Sequence, residues 1–199
     1  TSPDYRKYAP DRQIDLLHLT LDVTPDFQRR TVAGTATVKF KPIAKPLHEL
    51  KLDGVELAVA NVTSSERILG WQATEAHVIV TFADPIPADR EATVVIRYSA
   101  EPQKGLYFRT PEMGYAPEDM NIWTQGEPIE ARHWFPSFDS PNEKFTSEVI
   151  CHVPDGIVAL SNGRLVSEQK DAGTGLTAFR WLQEKPHVNY LIALAAGRL

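Results

Sequence analysis

A single cysteine, Cys151, stands among 199 residues, so no intramolecular disulfide can form and the fold must hold by burial. A body of this length buries roughly 70% of its unfolded surface, which is enough without a covalent staple. Cys151 alternates with Val149 and Val153 and reads as a small buried hydrophobe. Positive charge is also scarce: 21 Lys and Arg stand against 26 Asp and Glu, a net charge of −5. With no basic cluster, neither a nucleic-acid partner nor an anionic membrane is expected. No apolar run approaches the length of a membrane-spanning helix, and no signal peptide opens the chain. The expectation is a soluble protein, either cytoplasmic or exported with its leader removed, since the first residue is Thr1 rather than Met.

Catalytic signatures are missing too. There is no G-x-S-x-G, no phosphate loop, no G-x-G-x-x-G and no H-E-x-x-H. Ser137, Ser140 and Ser161 sit in turn contexts that backbone hydrogen bonding explains. His18, His48, His77, His133, His152 and His187 are the histidines, and none lies three or four residues from another. Cys151 and His152 point to opposite faces of one strand. Neither a metal site nor a catalytic residue is expected within these residues.

Helical periodicity is nearly absent, and 15 prolines spread through the chain argue against long helices. What is present is strand alternation. Leu17, Leu19, Leu21 and Val23 alternate with His18, Thr20 and Asp22; Val32, Gly34, Ala36, Val38 and Phe40 alternate with Thr35, Thr37 and Lys39. This predicts a long hairpin with one face buried. A second hairpin is expected between residues 78–82 and 93–98 through Asp84-Pro-Ile-Pro-Ala-Asp89, and residues 148–153 should pair with a later strand. Ser161-Asn-Gly163 supplies turn chemistry, and residues 179–182 and 188–194 read as the last strands. One helical turn is expected near Pro128–Arg132. The fold class is therefore all-β, mostly antiparallel, with sheets layered on one another and few short helical turns.

The most informative stretch runs from Trp123 to Lys144. It sets Gln125, Glu127, Glu130, Arg132, Asp139, Glu143 and Lys144 among Trp123, Trp134, Phe135, Phe138 and the prolines Pro128, Pro136 and Pro141. Prolines fix an irregular backbone, so polar groups on it are held on a frame rather than on a mobile loop. If residues 123–127 run extended, Gln125 and Glu127 share a face. A carboxylate beside a carboxamide can grip a cation such as an ammonium group. Equally, Glu127 can pair with Arg132 or Lys144 and only brace the loop; spacing alone leaves both readings open. Arg132 and Asp139 read as a structural pair fastening the two ends of a Pro-rich loop.

The order Thr124, Gln125, Glu127, Ala131, Arg132, Phe135, Pro136, Phe138, Asp139, Pro141 and Lys144 fits T-Q-x-E-x-x-x-A-R-x-x-F-P-x-F-D-x-P-x-x-K. That pattern resembles the N-terminal domain of zinc aminopeptidases of the aminopeptidase N and leukotriene hydrolase type. Gly105-Leu-Tyr107, the Leu160-Ser-Asn162 turn and Gly34 in the opening hairpin extend the resemblance over most of the chain. Ser137 stands where the pattern usually has Cys, and Ser140 where it usually has an acid. The resemblance implies a single saddle-like β domain over residues 1–199 that packs against a separate catalytic domain. The zinc cofactor and its ligands would belong to that second domain. It further implies that Glu127 binds the free α-ammonium of a peptide substrate, that Gln125 lines the first-residue pocket, and that Arg132, Pro136, Asp139 and Lys144 frame the loop.

The apolar end of the chain, residues 188–199, agrees with a fragment of a longer enzyme that is inactive alone. Trp123, Trp134 and residues 188–194 are then expected to border an exposed patch where the catalytic domain docks. Two other readings stand beside this one. The first is a non-catalytic β-sandwich that stacks a glycan on Trp123 and Trp134; the second is an inactive scaffold of the same descent.

Overall fold

The computed structural model describes residues 12–127, 129–138 and 143–198. Its strands in chain order begin with β1 (Ile14–Asp26), β2 (Thr31–Pro42), β3 (Leu47–Asp53), β4 (Ala58–Ser64) and β5 (Ile68–Ala73). They continue with β6 (His77–Ile86), β7 (Ala92–Ala100), β8 (Leu106–Arg109) and β9 (Asn121–Thr124). The last five are β10 (Lys144–Val153), β11 (Val158–Ser161), β12 (Arg164–Lys170), β13 (Thr177–Val188) and β14 (Leu194–Gly197). The described helical elements are short 3-10 turns at Pro111–Met113, Pro117–Asp119, Glu130–His133 and Asn189–Leu191. The third meets the turn expected near residue 130, although Pro128 lies outside the described residues. No helix among the described residues is long and apolar enough to cross a membrane.

Three sheets form: β12-β13-β10-β1-β2-β7-β4, β11-β14-β9-β8, and β3-β6-β5. All neighbours are antiparallel except β1 and β10. The opening hairpin forms as its alternation requires, with Leu19, Leu21 and Val23 buried against Val32, Ala36, Val38 and Phe40. A register shift between Leu16 and His18 inverts the pattern at the start of β1. Leu16 is therefore in the core, while Leu17, expected there, is only half-buried. The predicted pairing of residues 148–153 is that of β10 with β13. Cys151 is fully buried, and burial pushes its thiol up to about 12, with Asp22 adding to the shift.

The second expected hairpin does not form. β6 lies between β3 and β5, whereas β7 lies between β2 and β4 in the large sheet. The link between them crosses from one sheet to the other and is tied by Asp89 N–H donating to the Pro42 carbonyl at 2.9 Å. The apolar faces of β6 (Val78, Val80, Phe82) and β7 (Val94, Ile96, Tyr98) belong to one core cluster. Alternation is the same whether two strands pair edge to edge or pack face to face, so the pattern could not separate these arrangements. The Ser161–Gly163 turn likewise changes sheets, since β11 pairs with β14 and β12 with β13. Residues 188–194 are not one strand: β13 ends at Val188, a 3-10 turn follows, and β14 begins at Leu194.

Candidate functional site

The frame of the Pro-rich loop is buried. Trp134 and Phe135 are fully enclosed, with ring centroids 4.5 Å apart and planes at 81°, and Pro136 and Ser137 are buried behind them. Trp134, expected on the border of an exposed patch or in a stacking platform, is instead core. Its indole packs edge-on with Phe135 inside the core cluster, which removes a large apolar surface from water. The end of β3 stitches the loop in place. Asp53 N–H donates to the Ser137 carbonyl at 2.8 Å, Ser137 N–H returns a bond to Asp53 at 3.1 Å, and Val55 N–H donates to the Arg132 carbonyl at 2.9 Å.

Arg132 Nε donates to the Ile129 carbonyl at 3.0 Å, and its Nη1 lies 3.9 Å from Asp53 Oδ1. Asp139, its expected partner, lies outside the described residues. Lys144 opens β10 with an exposed side chain. Glu143 beside it is 5% exposed and contributes more to the frame: its Oε1 accepts from Leu16 N–H at 2.7 Å, and its Oε2 lies 2.6 Å from Arg12 Nε. The sequence offered no signal for this role, because Arg12 and Leu16 are remote along the chain. Glu130 turns toward His133, Oε2 to Nε2 3.0 Å.

Gln125 and Glu127 are placed differently. Trp123, Gln125 and Glu127 are exposed, while Ile122 and Gly126 between and beside them are buried. The segment thus continues the alternation of β9 past its last residue, and both polar side chains share the open side with Trp123. Its backbone is held on several sides. Gln125 N–H donates to the Gly105 carbonyl at 2.9 Å, and Glu130 N–H donates to the Gly126 carbonyl at 2.8 Å. Leu194 N–H donates to Thr124 Oγ1 at 2.9 Å. Two glycines allow close approach here. A Cβ on Gly105 would come within 2.2 Å of the Glu130 carbonyl oxygen, and one on Gly126 within 2.8 Å of that of Tyr190. Among the described residues Glu127 has no ion-pair partner. An exposed carboxylate on so constrained a backbone has its charge available to a ligand.

Next to this pair lies the outer face of the four-stranded sheet. Leu160, Ala195, Trp123 and Tyr107 are successive cross-strand neighbours on it, and Trp123 stacks on Tyr107 at 4.6 Å. Leu160 is 41% and Trp123 37% exposed, whereas the opposite row of Ala159, Ala196, Ile122 and Phe108 is buried. The sheet thus carries apolar side chains on both faces, one buried in the core and the other partly exposed.

The histidines are dispersed among separate partners. His18 Nδ1 is 2.6 Å from Thr146 Oγ1, His152 Nε2 is 2.6 Å from Asp22 Oδ1, and His187 Nε2 is 2.7 Å from Ser147 Oγ. Burial holds His18 below the usual imidazole range, against the opposing pull of Glu148 and with a smaller push from Lys39. Among the described residues no three His, Cys, Asp or Glu side chains converge as metal ligands.

Residues 5–191 match the family model for the peptidase M1 N-terminal domain. Aminopeptidase B of Homo sapiens is 27% identical over 212 residues, an alignment covering 94% of this chain and 32% of that protein. The chain thus spans about a third of the length of this curated relative. Among solved structures, a mutant M1 zinc metallopeptidase from Deinococcus radiodurans bound to a Tyr-Ser-Ala substrate superposes with a TM-score of 0.78 at 22% identity. That superposition covers 94% of this chain and 43% of the other. Leukotriene A4 hydrolase of Saccharomyces cerevisiae gives a TM-score of 0.73 at 20% identity over 96% of this chain and 32% of its own. At these identities the structural likeness speaks for the fold.

Proposed function

The chain belongs to the peptidase M1 N-terminal domain family, and on that premise we propose that it is the substrate-end-recognising domain of a zinc aminopeptidase. In this reading Glu127 holds the free α-ammonium of a peptide, and Gln125 lines the pocket for its first residue. The outer face of the four-stranded sheet, with Leu160, Trp123 and Tyr107, packs against the catalytic domain. That domain would carry the zinc and the water it activates for hydrolysis of the first peptide bond; no zinc ligand is assigned to the present chain.

The observation that carries the reading is the pairing of an exposed, uncommitted Glu127 with Gln125 on a backbone fastened from both sides. A peptide α-amino group has a pKa of roughly 8, so near neutral pH most of the substrate is cationic at that end. A fixed carboxylate favours that end over internal peptide segments, which lack the charge. The tripeptide bound to the related Deinococcus radiodurans protein is a ligand of the same chemical kind.

Steady-state kinetics on the enzyme that carries this domain test the proposal. Glu127→Ala is expected to lower kcat/KM roughly 10- to 100-fold, which corresponds to the ~1.5–3 kcal/mol of a charge-assisted hydrogen bond. Glu130→Ala, whose side chain is turned to His133, should do far less. If Glu127 merely braces the loop, Glu127→Ala lowers Tm and leaves the kinetics of the folded enzyme normal, and that result would end the anchor reading.

A further inference from the structure

Ser161 and Asn162 have no part in the reading above, yet their side chains hold a specific stretch of backbone. After β13 the chain makes the 3-10 turn Asn189–Leu191 and passes through Ile192 and Ala193 before β14 begins. The β11–β14 ladder ends at the Ser161–Leu194 pair, so Leu191 and Ala193 lie beyond it. Side chains take over from the ladder there. Asn162 Nδ2 donates to the Leu191 carbonyl at 2.9 Å, and Asn162 Oδ1 accepts from Ala193 N–H at 2.7 Å. Ser161 Oγ donates to the Ala193 carbonyl at 2.6 Å. A carboxamide carries the donor and acceptor of a peptide group, so Asn162 pairs with this backbone much as one more strand residue would.

The residues that flank this held stretch, Tyr190 and Leu194, touch the recognition segment at two points. The Tyr190 carbonyl lies against Gly126, and Leu194 N–H is bonded to the Thr124 hydroxyl. Thr124 and Gly126 are the residues on either side of Gln125, and Gly126 precedes Glu127. We infer that Asn162 is a positioning residue for Gln125 and Glu127: its carboxamide clamps Leu191–Ala193, and the clamped stretch fixes Thr124 and Gly126. The functional consequence rests on the ammonium-anchor reading, whereas the clamp rests on the hydrogen bonds alone. Asn162 touches no substrate in this account and acts only through the backbone it holds.

Three variants of the enzyme that carries this domain test the inference. Asn162→Asp keeps the acceptor for Ala193 N–H but sets a carboxylate oxygen against the Leu191 carbonyl; Asn162→Ala removes both bonds. Ser161→Ala removes only the bond to the Ala193 carbonyl and serves as the mild variant should the others fold poorly. Amide hydrogen exchange at Gln125, Glu130 and Leu194 is expected to quicken about tenfold in the Asn162 variants while β1 and β2 amides keep their protection. kcat/KM for peptides with a free amino terminus should fall at least threefold in the same variants. Unchanged exchange at those three amides overturns the clamp. So does unchanged kcat/KM in an enzyme where Glu127→Ala lowers it. If Glu127→Ala itself has no kinetic effect, it is the anchor reading that fails, and the exchange measurement alone decides whether Asn162 positions the segment.

Discussion

Glu127, Glu130 and Glu143 lie within seventeen residues of one another and have three different surroundings. Glu127 projects to solvent, Glu130 faces His133, and Glu143 is enclosed with Arg12 and the Leu16 amide. Chemical identity is the same in each case; what differs is how much water each carboxylate has exchanged for protein donors. Glu143 has exchanged most of it, so its removal leaves Leu16 N–H buried without an acceptor. Glu143→Ala is therefore expected to destabilise the domain by about 1–3 kcal/mol, the cost of an orphaned buried donor, as read from chemical denaturation. Arg12 is half exposed and regains water, which keeps the estimate below that of a fully buried pair.

At the scale of elements, the segment that carries Gln125 and Glu127 is the end of a strand that outlives its ladder. β9 stops at Thr124, but the Gly105 carbonyl, the Thr124 hydroxyl and the Tyr190 backbone carry the extended path on to Glu127. Gly105 matters here because the Glu130 carbonyl occupies the space a side chain would fill. Its φ of +79° is a left-handed conformation, which would by itself strain any other residue. Gly114 separates the two effects, having φ +93° with nothing near its missing side chain. Gly114→Ala should show the conformational cost alone, about 1 kcal/mol, and Gly105→Ala that cost plus the collision, about 2–3 kcal/mol in total. Equal losses in thermal or chemical denaturation would mean that the approach of the Glu130 carbonyl is not constraining.

Over the whole molecule, large apolar side chains stand exposed on β5 (Leu69, Trp71), on β12 (Leu165, Val166) and on the outer face of β11-β14-β9-β8. Leu160 and Trp123 stand on this last face while equally apolar residues on the reverse face are buried. A domain produced alone with that face uncovered is expected to self-associate at high concentration. Trp123→Lys should shift sedimentation toward monomer with little change in Tm, since Trp123 stands at the surface rather than in the core. Strictly monomeric wild-type protein would count against this face as a docking surface.

The sequence by itself determined the β class, the opening hairpin, the pairing of β10 and the burial of Cys151, because side-chain alternation has a period of two only in strands. The T-Q-x-E and F-P-x-F-D pattern identifies the family, and Glu127 and Gln125 stand within it. Tertiary structure decided what alternation leaves degenerate. β6 and β7 lie in different sheets although they read as a hairpin, and Leu16 rather than Leu17 is in the core. Trp134 is interior although Trp123, eleven residues earlier, is at the surface. The same holds for Glu143 and Asn162, whose partners Leu16 and Ala193 are 127 and 31 residues away. A local pattern records which side of a strand is dry. It does not record which distant backbone will arrive there to be bonded, because that depends on how the sheets stack.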